Sequence, residues 1–267
     1  VRCQVCHERR SDCLMDQEVV DFLNLKADQY NQEFFIESDP ISIPHLFSKK
    51  EDIEIIGWIV ATIAWGNRRS IITSGHNLVE IMGNSPYDYV MNASEKDFKD
   101  LSFVHRTFNV GDLKFFLQSL RSLYEDHDGL EGAFSVGDNA HDRICQFREL
   151  FLQLPHEKRL EKHVSSPAKG SSCKRINMYL RWMVRKDKRG VDFGIWDKIS
   201  MAELYVPLDV HVGKVARELG LLKRKSDDWK ALEELMDVLR ELDPEDPCKY
   251  DFALFGIGVN NDLKSVN

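Results

Sequence analysis

Apolar residues return at helical spacing along almost the whole of this 267-residue chain, and alternating strand patterns are scarce. That property confines the chain to helical architectures. The periodicity predicts helices near 16–36, 50–65, 68–83, 111–125, 140–153, 174–187, 210–219, 227–241 and 248–256. Pro and Gly fall mostly between them. "GNSPYDYV" and "LDPEDP" read as turns, and the polar stretch 154–172, with Pro155, Pro167 and Gly170, reads as a link between helical runs. The expected class is all-α. There is no internal repeat, and the length suits one large or two small domains.

The apolar run at 55–65, "IIGWIVATIAW", is too short to span a bilayer and follows Glu51, Asp52 and Glu54. It predicts a buried helix, with no membrane partner. No basic-then-apolar segment opens the chain, so a cytoplasmic location is expected. "CQVCH" at Cys3, Cys6 and His7 matches a haem-attachment pattern, and Cys13 adds a third thiol. Residues 1–15 are expected to lack fixed order, a second metal-ligand pair is missing, and no metal or cofactor is expected.

The formal charge of −8 argues against a polyanionic partner, but it hides an asymmetry. Residues 169–189 hold eight bases against Asp187 alone, and residues 227–251 hold ten acids against three bases. Such a chain can present one basic face while remaining acidic overall. The plainer alternative is a pair of solvated helix faces.

Two segments bear on chemistry. In "VPLDVHVGKVARELGL", residues 206–221, an apolar stripe of Val212, Val215, Ala216 and Leu219 ends at Gly220, a natural helix terminator. Asp209 stands where an N-cap belongs. In "SPAKGSSCKRINMYLRWMVR", residues 166–185, a Pro/Gly turn leads into a helix with Lys174 in its first turn. A lysine there opposes the helix dipole. It is either a surface lysine, a phosphate contact, or an amine whose proton affinity is lowered so that it can attack carbon.

Together these segments resemble the helix-hairpin-helix DNA glycosylase superfamily, which includes endonuclease III and 8-oxoguanine glycosylase. Its members carry a G-x-G-x-K-T-A-N hairpin and then a D-T-H-V-x-R-V-x-x-R-L-G segment. Gly170 matches the first hairpin glycine, Lys174 the Schiff-base lysine and Asn177 the asparagine three residues on. Asp209 matches the catalytic aspartate, followed by His211, Val212, Val215, Arg217, Leu219 and Gly220. Residues 54–83 resemble the early helix-turn-helix of those enzymes, whose loop probes DNA; Trp65, Gly66, Asn67 and Arg68 would form it. "DFALFGIGVNN" resembles the helix that leads into the iron–sulfur cysteines of some members. Only Cys248 follows Asp209, so no four-cysteine cluster can form. From about residue 20 to residue 259 the chain is similar to an uncharacterised bacterial family, domain of unknown function 2400.

The resemblance implies two helical lobes around a cleft, one of about 16–65 plus 205–267 and the other of about 66–204. It implies base-excision repair of double-stranded DNA, with a damaged base flipped into the cleft and a β-lyase step. Lys174 would attack the sugar and Asp209 would stabilise the cationic sugar and take a proton. The turn Gly170, Ser171, Ser172, Cys173 would bind phosphate through backbone N–H groups, with Arg175, Arg181, Arg185, Lys186 and Arg189 as further phosphate contacts. Trp65, Asn67 and Arg68 would fill the gap left by the base, and Trp182 or Trp196 would stack on it. His211 is expected to be structural.

Three departures stand out. Ser172 replaces the second hairpin glycine, Ser171 replaces an apolar residue, and 35 residues separate Lys174 from Asp209. That separation exceeds the spacing in endonuclease III, although archaeal 8-oxoguanine glycosylases also have a long one. The competing expectations are a nucleic-acid-binding module without catalysis and a helical scaffold that uses the acidic 227–251 face.

Overall fold

Every predicted helix forms, and local chemistry sets where each begins. The computed structural model describes residues 17–265 apart from residue 100. The expectations for residues 1–15, including Cys3, Cys6, His7 and Cys13, lie outside the described residues. The helices are α1 (Gln17–Tyr30), α2 (Phe34–Glu37), α3 (Lys50–Ile63), α4 (Arg68–Ile81), α5 (Pro86–Asn92), α6 (Glu95–Lys99), α7 (Val110–Asp126), α8 (Gly129–Phe134), α9 (Ala140–Phe151), α10 (Lys174–Val184), α11 (Val210–Glu218), α12 (Trp229–Leu242) and α13 (Lys249–Asn260). Among the described residues the fold is all-α apart from an antiparallel hairpin, β1 (Val104–His105) with β2 (Phe108–Asn109).

Side-chain caps start α4, α7 and α12, whereas α3, α10 and α13 begin without one. Asn67 accepts from Ser70 N, Asn109 and Asp112 make a reciprocal capping box, and Asp228 accepts from Ala231 N. Gly220, at φ +74°, ends α11 with the bonds Gly220 N to Arg217 O and Leu221 N to Ala216 O. One expectation differs from the outcome. The "GNSPYDYV" turn is short and passes straight into α5, because Pro86 at the first helical position starts a helix readily. The 154–172 stretch links α9 to α10 as expected, and it contains the 3-10 turns Lys158–His163 and Pro167–Lys169.

Trp58 of α3 centres the core. The rings of Phe116, Phe134, Phe147, Phe151 and Tyr179 surround it at centroid distances of 4.9–6.3 Å. Helix α3, expected among the first-lobe helices, packs on α4, α5, α8 and α10. Helix α13 packs on α1 and α11. Its closeness to α1 requires Gly256, where an added Cβ would enter the Tyr30 ring. The long segment after α10 is packed rather than looped out. Phe193 N bonds Trp182 O at 2.8 Å, Trp196 N bonds Met183 O at 3.0 Å, and the Trp196 indole donates to buried Glu54 at 2.6 Å. Among the described residues no helix is long and apolar enough to cross a membrane.

Candidate catalytic pocket

The Asp209 backbone is extended ahead of α11, which aims its carboxylate back along the helix start. Oδ1 accepts from His211 N and Val212 N, each at 2.9 Å, and so performs the cap. Oδ2 accepts from Lys174 Nζ at 2.9 Å. One carboxylate therefore caps α11 and pairs with the first residue of α10. The Lys174 side chain is 40 % exposed and that of Asp209 11 %, so the pair opens on solvent from the lysine side.

The turn before α10 is tied to the Asp209 segment. Ser172 Oγ donates to Leu208 O at 3.3 Å, Asn177 Nδ2 donates to Ser172 O at 2.9 Å, and Trp229 N donates to Gly170 O at 3.0 Å. These bonds hold Lys174 and Asp209 together across 35 residues. They also alter the expected role of the turn. Gly170 N bonds Pro167 O, Ser171 N bonds Ser166 O and Cys173 N bonds Ser171 Oγ. Ser172 and Cys173 are buried, and burial pushes the Cys173 thiol up to about 12. The turn is thus a brace whose N–H groups are largely satisfied internally, in place of an open phosphate cradle.

Lys174 and Asp209 share a pocket of about 170 Å³. Trp65, Gly66 and Arg68, from the loop after α3, line it. Asn67 caps α4 and is exposed beside it. The Arg175 guanidinium lies 4.9 Å from the centroid of the Trp65 ring and holds it from behind. The wall residues not anticipated include Phe35 of α2, Asp39, and Asp251 and Phe252 of α13, with Phe255 one turn further on. Phe35 stands edge-on to both Phe252 and Phe255, at 5.3 and 6.2 Å between ring centroids. The site therefore has flat apolar walls and a floor of carboxylates. Burial pushes the Asp251 carboxyl up to about 6, with Arg181 opposing the shift and Asp209 adding to it. Burial also raises Asp39, against the pull of the Ile41 N–H, Arg181 and Arg68.

The basic helix differs most from expectation. Arg181 is 4 % exposed and bonds Asp192 and Asp251, and Arg185 is 2 % exposed and bonds Asp246, Asp187 and Asp192. Arg175 donates to Thr62 O and His163 O, and burial pulls it down to about 10. Lys186 pairs with Asp197 and Arg189 with Asp28. None of Arg175, Arg181 and Arg185 is therefore a surface phosphate contact, although Arg181 reaches the pocket wall. The reason is that one face of α10 turns inward, so its charges meet Asp187 and Asp192 of the segment that follows and Asp246 and Asp251, which lie far away in sequence. Trp182 and Trp196 are fully buried and cannot stack on a base entering from outside. His211 is exposed beside a separate groove between α11 and α13. Within the acidic stretch, Asp227, Asp228, Asp243, Asp246 and Asp251 all hold cations of the same chain, which leaves less free acidic face than composition suggests.

Nothing in local sequence pattern singles out Asp39. It lies in "SDPISIP" and reaches the pocket because the following 3-10 turn, Pro40–Ser42, packs on α3 and α4. Asp251, Phe252 and Phe255 do show a signal, a buried carboxylate at helical spacing from aromatics, but only the packing says which cavity they face.

A family model described as "Protein of unknown function (DUF2400)" matches residues 39–260. No curated protein and no solved structure matches the chain.

Proposed function

The chain belongs to this family, DUF2400, whose description names no activity; from that premise we propose that it is a two-lobed DNA glycosylase with abasic-site lyase chemistry, acting on a base flipped out of duplex DNA. The observation that carries the reading is the Lys174 Nζ to Asp209 Oδ2 contact of 2.9 Å inside a pocket with aromatic walls. A cavity of about 150 Å³ admits one benzene-sized ring, so this pocket is in the range of a flat heterocycle. The walls contributed by Trp65, Phe35 and Phe252 suit stacking, and the acceptors of Asp39 and Asp251 suit a ligand that presents N–H groups.

In this reaction a proton leaves the Lys174 ammonium for Asp209 Oδ2, the acceptor within reach. The free amine forms a bond to the sugar anomeric carbon as the glycosidic bond breaks, and that bonding pair departs with the base. Asp209 passes that proton on to the departing base, and the carboxylate so restored, fixed by its two backbone N–H donors, lowers the energy of the cationic sugar. Opening of the sugar ring leaves an imine on Lys174. Loss of a proton from the neighbouring carbon then expels the 3′ phosphate and nicks the strand.

Duplexes carrying an abasic site, uracil, 8-oxoguanine or an oxidised pyrimidine, treated with borohydride, test the proposal. A covalent adduct that disappears in Lys174→Gln is expected. No adduct on any of these substrates with folded wild-type protein removes the glycosylase and lyase reading. The competing reading is a nucleic-acid-binding protein without catalysis, in which the Lys174–Asp209 contact serves only as the cap and ion pair that it makes in this structure. That protein would bind duplex equally well with Lys174→Gln and trap nothing.

A further inference from the structure

Among the described residues most arginines hold a carboxylate, as Arg148 holds Glu161 and Arg217 holds Asp227. Arg121, Arg175 and Arg240 instead hold backbone carbonyls. The guanidinium groups of Arg68, Arg69 and Arg106 make neither kind of bond among the described residues, and all three residues lie on or against the 66–69 segment that borders the pocket. Arg68 lines it, with its guanidinium 5.4 Å from the centre of the Phe255 ring. Arg69 follows, exposed on the first turn of α4. Arg106 is exposed at the tip of the β1–β2 hairpin and reaches across to the loop after α3.

The contact between Arg106 and that loop is built. Arg106 has φ +55°, the left-handed angle taken at the first central position of a two-residue hairpin turn, and that turn fixes where its side chain starts. Its Nη1 lies over Gly66, at φ +100°, where any added Cβ would collide with it. The neighbouring His105 is buried, bonds Ser74 Oγ on α4 at 2.8 Å and reaches Trp65 O at 3.4 Å. The hairpin is thereby fastened to α4 and to the pocket loop through the residue next to the arginine. Arginines with no bonded carboxylate concentrate free positive charge on a protein of net −8, and planar guanidinium groups match phosphate oxygens.

We infer that Arg68, Arg69 and Arg106 form a phosphate clamp, in which the hairpin grips the nucleic-acid backbone next to the nucleotide that enters the pocket. This rests on the reading above only in taking the partner to be a nucleic acid. It moves the electrostatic footprint from α10, where the basic residues are paired, to the hairpin and the start of α4.

The test is binding of a fluorescent duplex with one tetrahydrofuran abasic analogue, read by anisotropy between about 50 and 200 mM salt. Removing one phosphate-binding arginine should flatten the slope of log affinity against log salt by about 0.9, so Arg68→Ala/Arg69→Ala/Arg106→Ala should flatten it by about 2 to 3. Arg106→Lys should recover most of what Arg106→Ala forfeits, and Lys198→Ala, whose partner is Asp128, should leave the slope unchanged. Arg69→Ala alone removes only an exposed side chain and should still flatten the slope by about 1, which covers the case in which the triple variant fails to fold. Wild-type binding with an unchanged slope in the folded variants overturns the clamp and leaves the glycosylase proposal standing. A wild-type protein that binds no duplex at low salt overturns both. An absence of borohydride adduct together with a flattened slope overturns only the chemistry.

Discussion

Lys174 Nζ lies 2.9 Å from Asp209 Oδ2, while Oδ1 of the same carboxylate accepts two backbone N–H groups of α11. The two oxygens thus serve separate purposes, and a substitution can remove one without the other. Asp209→Asn keeps a good cap, because Asn and Asp cap about equally, and should leave stability nearly unchanged. It removes the proton acceptor and should slow borohydride-trapped adduct formation by about 10²–10⁴-fold. Asp209→Ala loses the cap as well and should cost about 1 kcal/mol more in urea unfolding. An Asn variant that traps as fast as wild type would remove Asp209 from the reaction.

Arg185 illustrates how a basic run can be internal. It holds Asp246, Asp187 and Asp192 while 2 % exposed. Arg185→Ala leaves buried carboxylates unpaired and should cost about 3–5 kcal/mol in denaturant unfolding. The protein that stays folded should keep the wild-type salt slope for duplex binding. A flattened slope in Arg185→Ala would return this residue to the interface.

Two buried groups give opposite pH dependences. Burial raises Asp251 from 3.8 to about 6, so the folded state binds the proton more tightly. Its contribution to stability is complete below 3.8 and is lost as pH rises through about 6. Burial lowers His163 from 6.5 to about 4, with Asp112 opposing the shift. The stability from neutral His163 is present above 6.5 and is lost as pH falls through about 4. Between pH 4 and 6 the two effects oppose each other. Asp251→Asn should therefore lose stability more steeply on acidification than wild type, by up to about 3 kcal/mol, and His163→Gln less steeply. Urea midpoints measured at intervals across this range provide the check; parallel curves for all three proteins would contradict both assignments.

Gly66 is held at φ +100° under the Arg106 guanidinium. Gly66→Ala introduces both a disfavoured backbone angle and a collision, and should cost about 1 kcal/mol or more. It should also displace Arg106, lowering duplex affinity as Arg106→Ala does. In the Gly66→Ala/Arg106→Ala double variant the affinity should fall no further than in Arg106→Ala alone. Additive effects would show that the two residues act independently.

The local part of this protein was legible without a structure. Helical periodicity located the helices, the Asp209 cap and the Gly220 terminator were readable, and the 55–65 run identified the central helix α3. These features depend on neighbours within about one helical turn, so the chain carries them openly. The hairpin was not legible, because two-residue strands are too short to show a period.

Tertiary structure decided the fate of the charges. Arg181 and Asp251 are 70 residues apart in the chain, and Arg185 and Asp246 are 61 apart. Periodicity shows that α10 has a charged face but not whether that face meets water or α13, and the cost of burying an unpaired charge turns that face inward only where acids await it. The same holds at the pocket. The sequence alone placed Lys174 and Asp209 at two helix starts. The Ser172–Leu208, Asn177–Ser172 and Trp229–Gly170 bonds brought the two starts together, and packing added Asp39, Asp251 and the phenylalanine walls. It also left Arg68, Arg69 and Arg106 without a bonded carboxylate among the described residues. Pairing depends on which side chains lie within a few ångströms in the folded chain, and spacing along one helix cannot supply that information.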